Sequence, residues 1–522
     1  MKLRSCPAAV CQNESLHFCH WILTIREGAA SRNRPISSVQ AGEPEDLPGT
    51  LAGFSPARKR RAFVERGGLA WALVITSLKS CLGHGRLAAA VVCLATALPL
   101  RAAQAFLPPE RLTDGSDIFE LARNPNGAAA FDSQGTLHLV YWSGTITSDP
   151  SVPTYVWYQA RNLSGAWSAR TFIDDSLIDT GTGPRHFGGR HPSLAIGPDD
   201  TVHVVWHDHR HCTPGAPANG INNLEIYLDR KPLNGSFSST DLRLTNTTAA
   251  HLGDNGYLPR IGVSDAGVIT VLWYDFHENG DDTDLYAMRS DAAGNFDLSS
   301  SMADRRLTSY LDRNPVDEIV YSVPDLAVDG AGNAVAIWTS GFGGAAPVYV
   351  ADVPNPVALT PVQTLATGTN SYFEPARITF APNGDLWAVW TRILGSERDV
   401  VAARRAAGGG GFGPPIVLKG AAGVREKGAD LEVDSAGNLH VVWIDERMGL
   451  QGYYGRLDST GLLLEEQAVS DPSLSVQRIM LVLDAAERPH VIFDAGGPSA
   501  SDVYYAAPAL DPTAADAWIA YP

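Results

Sequence analysis

The chain has 522 residues, with 40 Lys+Arg against 57 Asp+Glu and 44% hydrophobic residues. That balance supplies a large core and excludes a basic nucleic-acid binder. The 50 Gly, 34 Pro and 12 Trp describe a turn-rich globular protein and exclude a disordered or coiled-coil one.

In chain order, the first feature is an apolar run, LAAAVVCLATALPL (87–100), behind Arg86 and ahead of Ala103-Gln104-Ala105. A charged flank, a short apolar stretch and a small-x-small site read as a secretory signal with cleavage near Ala105, too short for a comfortable membrane span. Residues 84–105 are therefore expected to be a signal peptide. Residues 1–83 are expected to be a leader or a start assigned too far upstream. KRRAFVE (59–65) followed by LAWALVITSL (69–78) offers twin-arginine export as the alternative. On either reading the mature chain, 106–522, is extracytoplasmic, secreted or periplasmic. It carries 27 Lys+Arg against 51 Asp+Glu, which disfavours anionic membrane surfaces. Cys212 is its single cysteine, so its stability has to come from packing and not from an intrachain disulfide.

From residue 126 onward one unit recurs seven times. The copies are NGAAAFDSQGTLHLVY (126–141), RHPSLAIGPDDTVHVVW (190–206), YLPRIGVSDAGVITVLW (257–273), VPDLAVDGAGNAVAIW (323–338), EPARITFAPNGDLWAVW (374–390), DLEVDSAGNLHVVW (430–443) and RIMLVLDAAERPHVIF (478–493). Each copy is two β-type runs about a polar turn, ending on an aromatic anchor: Tyr141, Trp206, Trp273, Trp338, Trp390, Trp443 or Phe493. A third run follows every anchor, as in NLEIYLDR (223–230) and QGYYGRLD (451–458), and fourth runs such as TDLRLTN (240–246), DRRLTS (304–309) and PIVLKG (415–420) complete most units. The fold class is all-β: a single β-propeller of seven four-stranded blades, with six as the alternative. The weak fourth run of the last unit and the strand-like RLTDGSDIFEL (111–121) predict that an N-terminal strand closes the ring.

The repeat separates structural residues from candidates for chemistry. His138, His203, His440 and His490 all stand three residues before an anchor, so packing or a structural hydrogen bond explains them. The unusual polar residues gather in the connections from strand 2 to strand 3 and from strand 4 to the next strand 1, which share one face of an up-and-down blade. There His207, His209 and His211 alternate around Asp208 beside Cys212, and Asp281, Asp282 and Asp284 cluster in a later loop. Zinc at the first and calcium at the second are possible readings. Asp208-x-Arg210 recurs as Asp445-x-Arg447, which favours a structural Asp–Arg pair, and a solvated acidic turn explains the aspartates; no cofactor is required.

Thirteen residues before each anchor, units 3 to 6 read Arg260, Asp325, Arg377 and Asp430. The alternation fits an inter-blade ion-pair ring. It also fits cationic contacts for a ligand carboxylate or sulfate from Arg260 and Arg377 with Arg190. His191, His207, His209, His277 and Asp325 complete the ligand-facing candidates.

The glycine-turn, apolar strand and Trp-x-Asp unit, seen in AGNLHVVWIDER (436–447), resembles the repeats of sialidase-superfamily propellers, in particular bacterial exported proteins with BNR-like repeats. The resemblance spans about 111–508 and implies the propeller fold. The sialidase catalytic motifs are not matched: Leu258-Pro259-Arg260-Ile261 differs in order from the family's Arg-Ile-Pro motif, and the repeats lack its Asp-box. Two functions follow as expectations. The first is a non-catalytic monomer that binds a glycan, an extracellular polymer or a protein on its polar face. The alternative is a carbohydrate-active enzyme on the same face, either a hydrolase using Asp208, Asp275 or Glu278, or a lyase in which a His–Tyr pair abstracts a proton.

Overall fold

The computed structural model describes residues 106–509 except 115–118, 122–126, 145–153, 175–177, 180–183, 186–187, 209, 211–223, 246–255, 276–283, 300–304, 309–322, 340–345, 371–374, 421–422, 448 and 498–499. Contacts divide the chain at Pro99/Leu100, and every described residue belongs to the second unit.

Each predicted repeat is an antiparallel blade. Blade 2 is representative, with Gly189–Ile196, Val202–Asp208, Glu225–Lys231 and Leu242–Arg243 in sheet order. The first strands are innermost, and each packs on the first strand of the next blade until the seventh meets the first. The polar turns between strands 1 and 2 carry left-handed glycines where the sequence places them, for example Gly437 at φ 81° in Asp434–Asn438.

The anchors are among the largest side chains of the core, and none is more than 2% exposed. They are paired across the sheet in a way the repeat did not announce. Trp206, Trp273, Trp338, Trp443 and Phe493 stand opposite Tyr227, Tyr286, Tyr349, Tyr453 and Tyr504 on the third strand, with ring centroids 5.3–6.2 Å apart. Cross-strand aromatic pairs of this kind contribute beyond the area they bury.

Ring closure follows the expectation with a shifted strand. Glu110–Arg111 is the outermost strand of blade 7, pairing with Ala500–Ala506. Asp502 then clamps it, accepting from Thr113 Oγ1 and pairing with Arg111, both at 2.5 Å. The later part of the predicted strand goes elsewhere: Phe119–Glu120 pairs with Leu137–Ser143 of blade 1. Blade 3 is the thinnest, because Arg306 reaches Tyr286 only as an isolated bridge.

The repeated histidines are structural, as the repeat implied. His138, His440 and His490 each bond a tyrosine hydroxyl of the third strand through Nδ1 (Tyr158, Tyr454 and Tyr505, at 2.6–2.8 Å). Each also meets an aspartate of the preceding turn through Nε2 (Asp132, Asp434 and Asp484, at 3.1–3.4 Å). Burial lowers the pKa of all three, and in blade 2 it takes His203, with help from Arg230, to about 4. Since the unfolded chain binds these protons first, stability contributed by the neutral histidines is lost as pH falls below about 6.5. Buried carboxylates raised in pKa, Asp430 to about 6 and Glu426 to about 7, act in the opposite sense over the same range. The histidine contribution is therefore read by difference. A His203→Gln variant is expected to lose less stability than the parent between pH 7 and pH 4, by up to about 3 kcal/mol, in urea titrations at fixed pH; equal losses would contradict this assignment.

Candidate functional site

In blades 2, 3 and 6 the inner strand carries a β-bulge opposite the anchor tryptophan. The register jumps so that His191-Pro192, Leu258-Pro259 and Gly428-Ala429 each face a single residue: Trp206, Trp273 and Trp443. The first residue of each pair is left-handed: His191 at φ 52°, Leu258 at φ 47° and Gly428 at φ 60°. Glycine adopts this conformation freely, whereas for His191 and Leu258 it costs about 1–2 kcal/mol. The following proline adds to that cost, because it favours extended backbone in the residue before it.

The two strained bulges lie on the face of the strand 2–3 and strand 4–1 connections. They build a row of rings across three blades. Trp142 of blade 1 meets His191 edge to face at 5.3 Å, His191 meets His207 at 5.2 Å, and His207 meets Tyr257 at 5.3 Å. Tyr257 in turn stacks on Tyr274 at 5.3 Å. The backbone N–H of Leu258 donates to His207 Nδ1 at 3.3 Å. Arg190, half-buried, lies 5.8 Å from the Trp142 ring. Of the expected ligand-facing residues, Arg190, His191 and His207 are thus brought together.

Arg260, Asp325 and Arg377 go to a different place. They are buried between neighbouring inner strands, with Arg260 Nε 3.8 Å from Asp325. Asp325 also accepts the N–H of Ile378 in blade 5, and Asp430 that of Leu481 in blade 7, both at 3.0 Å. Burial brings Arg260 down to about 9 and lowers Arg377 as well. This is the inter-blade arrangement that the Arg–Asp alternation implied.

Asp208 is fully buried and its oxygens are committed. Oδ1 accepts from the Arg210 N–H at 2.7 Å, and Oδ2 from Arg210 Nη2 at 2.7 Å and Trp206 Nε1 at 3.1 Å. Burial works to raise its pKa, but Arg210 overrides it and holds the carboxylate low. Asp275 repeats the Trp-x-Asp contact with Trp273 Nε1 at 3.3 Å and is equally buried. Arg447 holds Asp445 in blade 6 as Arg210 holds Asp208. Gly189 makes the tryptophan contact possible, since a Cβ there would stand 2.1 Å from Trp206 Cδ1. Both carboxylates are therefore parts of the repeat.

Asp284 takes Arg306 at 2.5 Å and Thr308 at 2.8 Å. His209, His211, His277, Glu278, Asp281 and Asp282 lie outside the described residues. Among the described residues no group of three or more His, Cys, Asp or Glu side chains could hold a metal ion, and no helix is long and apolar enough to cross a membrane.

A cavity of about 740 Å³ opens on the opposite face between blades 3, 4 and 5. Its charged groups are spent on structure: Arg289 donates to the Gly332 and Val353 carbonyls, and Arg405 pairs with Asp352. The ring row is the stronger candidate, because it combines titratable rings with strained backbone.

Tyr257, Tyr274 and Trp142 belong to the site without having been singled out by the repeat. The x-x-Pro opening of Arg190-His191-Pro192 and Tyr257-Leu258-Pro259 does not mark them, because Ser322-Val323-Pro324 repeats it fourteen residues before Trp338.

No protein-family model matches the sequence, and no curated protein matches it. Solved structures do match. An ulvan lyase, described as a new family of polysaccharide lyase and bound to a glucuronate–rhamnose saccharide, is 11% identical, covering 77% of this chain and 95% of that one with a TM-score of 0.49. A Hadza microbial sialidase is 11% identical over 75% and 66% of the two chains, with a TM-score of 0.43. A Penicillium chrysogenum α-L-arabinanase complexed with arabinobiose is 13% identical over 77% and 96%, with a TM-score of 0.39. Likeness at this level transfers no activity and no site residue.

Arg210 anchors the end of the second strand beside the row, gathering Asp174, Asp208 and Asp241 at 2.7–3.0 Å and lying 3.9 Å over the Tyr227 ring. Arg210→Met should strand three buried carboxylates and lower unfolding free energy by about 3–5 kcal/mol, measured by denaturant titration. A loss below about 1 kcal/mol would show that these carboxylates do not depend on it.

Proposed function

We propose that the protein is an exported carbohydrate-active propeller whose site lies at the mouth over blades 1 to 3, where histidine and tyrosine rings transfer protons on an acidic glycan. The observation that carries this reading is the row His191–His207–Tyr257, held on two bulges that keep non-glycine residues left-handed. Strain of that kind persists only where the surrounding structure enforces it, and it clusters at active sites. The aspartates expected to act in hydrolysis are occupied by the repeat's own tryptophan and arginine contacts, which leaves the rings as the groups suited to acid–base work.

Proton transfer between such rings suits β-elimination from a uronate. A base takes the proton next to the carboxylate, and the C–H electron pair becomes the new C=C bond. The C–O bond to the neighbouring sugar breaks with its pair on oxygen, and an acid protonates that oxygen. Arg190 is placed to neutralise the carboxylate. The unsaturated product absorbs in the ultraviolet, so release from uronate-containing polymers is directly observable. The full chain is expected to release it, and His207→Gln to lower kcat/KM by roughly 10²–10⁴-fold.

A second reading is glycan binding without turnover, carried by the half-buried Arg190 and Tyr257 at the edge of the row, since His207 is 2% and His191 7% exposed. Tight binding with no product release from any uronate polymer would favour it and contradict the lyase reading.

Export belongs to the same proposal and rests on the apolar run 87–100 before Ala103-Gln104-Ala105. N-terminal sequencing of protein recovered from outside the cytoplasm should begin immediately after Ala105. Recovery of the uncleaved chain in the cytoplasm would contradict it.

A further inference from the structure

We infer that Leu258 is a positioning residue whose backbone N–H fixes the proton of His207 on Nε2, so that this histidine meets a ligand as a donor and not as a base. That a ligand comes to His207 at all rests on the site proposed above; the positioning itself does not. A neutral imidazole has one N–H donor and one acceptor nitrogen, and the bond made by one nitrogen decides the state of the other. Here Nδ1 receives the Leu258 N–H at 3.3 Å, which leaves the ring proton on Nε2.

The amide reaches that nitrogen because of the bulge. Leu258 and Pro259 together face Trp273, and Leu258 sits at φ 47°. Its side chain is a core group, 1% exposed and packed with Leu272, Tyr274 and Trp338. Packing explains why the position is leucine. Packing does not explain the left-handed backbone, which Gly428 supplies without strain at the equivalent position of blade 6. In blade 6 the residue corresponding to Tyr257 is Lys427, and among the described residues no ring row is built there. In blade 3 the strained bulge delivers its amide to His207. The base of the proposed elimination then comes from a different ring, and Tyr257 and His191 are those in contact with His207.

Long-range ¹H–¹⁵N spectra of the full chain labelled on histidine test this without any glycan, with the His207 signals assigned by their loss in His207→Gln. The expected result is a single neutral tautomer with Nδ1 bare and Nε2 protonated. Leu258→Gly keeps the backbone angle accessible and should keep that tautomer. Leu258→Ile conserves volume, but its β-branch resists a positive φ, and it should let a measurable fraction of Nδ1–H form. An Nδ1–H tautomer in the parent, or an unchanged single Nε2–H tautomer in Leu258→Ile, overturns the inference. If the isoleucine variant does not fold, an Nδ1–H tautomer in the parent or glycine spectra still overturns the inference. Failure to bind or cleave any glycan, with the expected spectra intact, counts against the proposed function and leaves the positioning role standing.

Discussion

Burial of one large aromatic ring per blade is the constraint from which the rest of the structure follows. Seven sheets arranged about an axis leave wedge-shaped gaps that widen outward, and a tryptophan, tyrosine or phenylalanine on the second strand fills each of them. The ring then dictates what can face it. On the third strand it is a tyrosine in five blades, and on the first strand of three blades it is a bulge. Closure by Glu110–Arg111 at the outer edge of blade 7, with the first strands of blades 7 and 1 in contact at the axis, turns these local fits into a cooperative whole.

The candidate site grows out of that same fit. A bulge opposite a tryptophan needs a left-handed residue, and blade 6 meets the need with glycine. Blades 2 and 3 use His191 and Leu258, each before a proline, and at those two places the mouth of the propeller acquires titratable rings where blade 6 has Lys427 and Ile444. A packing solution common to several blades thus becomes a placement device in two of them. The buried aspartates beside the tryptophans are the complementary case, since their chemistry is absorbed by Trp206, Trp273 and Arg210.

The architecture was legible because a repeat shows its spacing seven times, so anchors, turns and the Asp–Arg pairs of blades 2 and 6 could each be checked against their copies. The four histidines before the anchors were assigned to packing for the same reason, and the tyrosine and aspartate partners of His138, His440 and His490 agree. Closure was visible as a strand-like N-terminal stretch, but the pairing register was not: Phe119 is as strand-like as Arg111 and belongs to another blade. The site was only half legible. Arg190, His191 and His207 stand out by residue type, whereas Tyr257 and Tyr274 look like ordinary strand residues. Their role depends on a register shift, which exists only between two strands and leaves no mark in either one alone.

The central claim is that the ring row over blades 1 to 3 is where a glycan meets this protein. A crystal structure of the full chain with an acidic oligosaccharide tests it most directly. Sugar density is expected against Arg190, His207 and Tyr257. Sugar bound instead in the cavity between blades 3, 4 and 5 on the opposite face, with the ring row untouched, would contradict it.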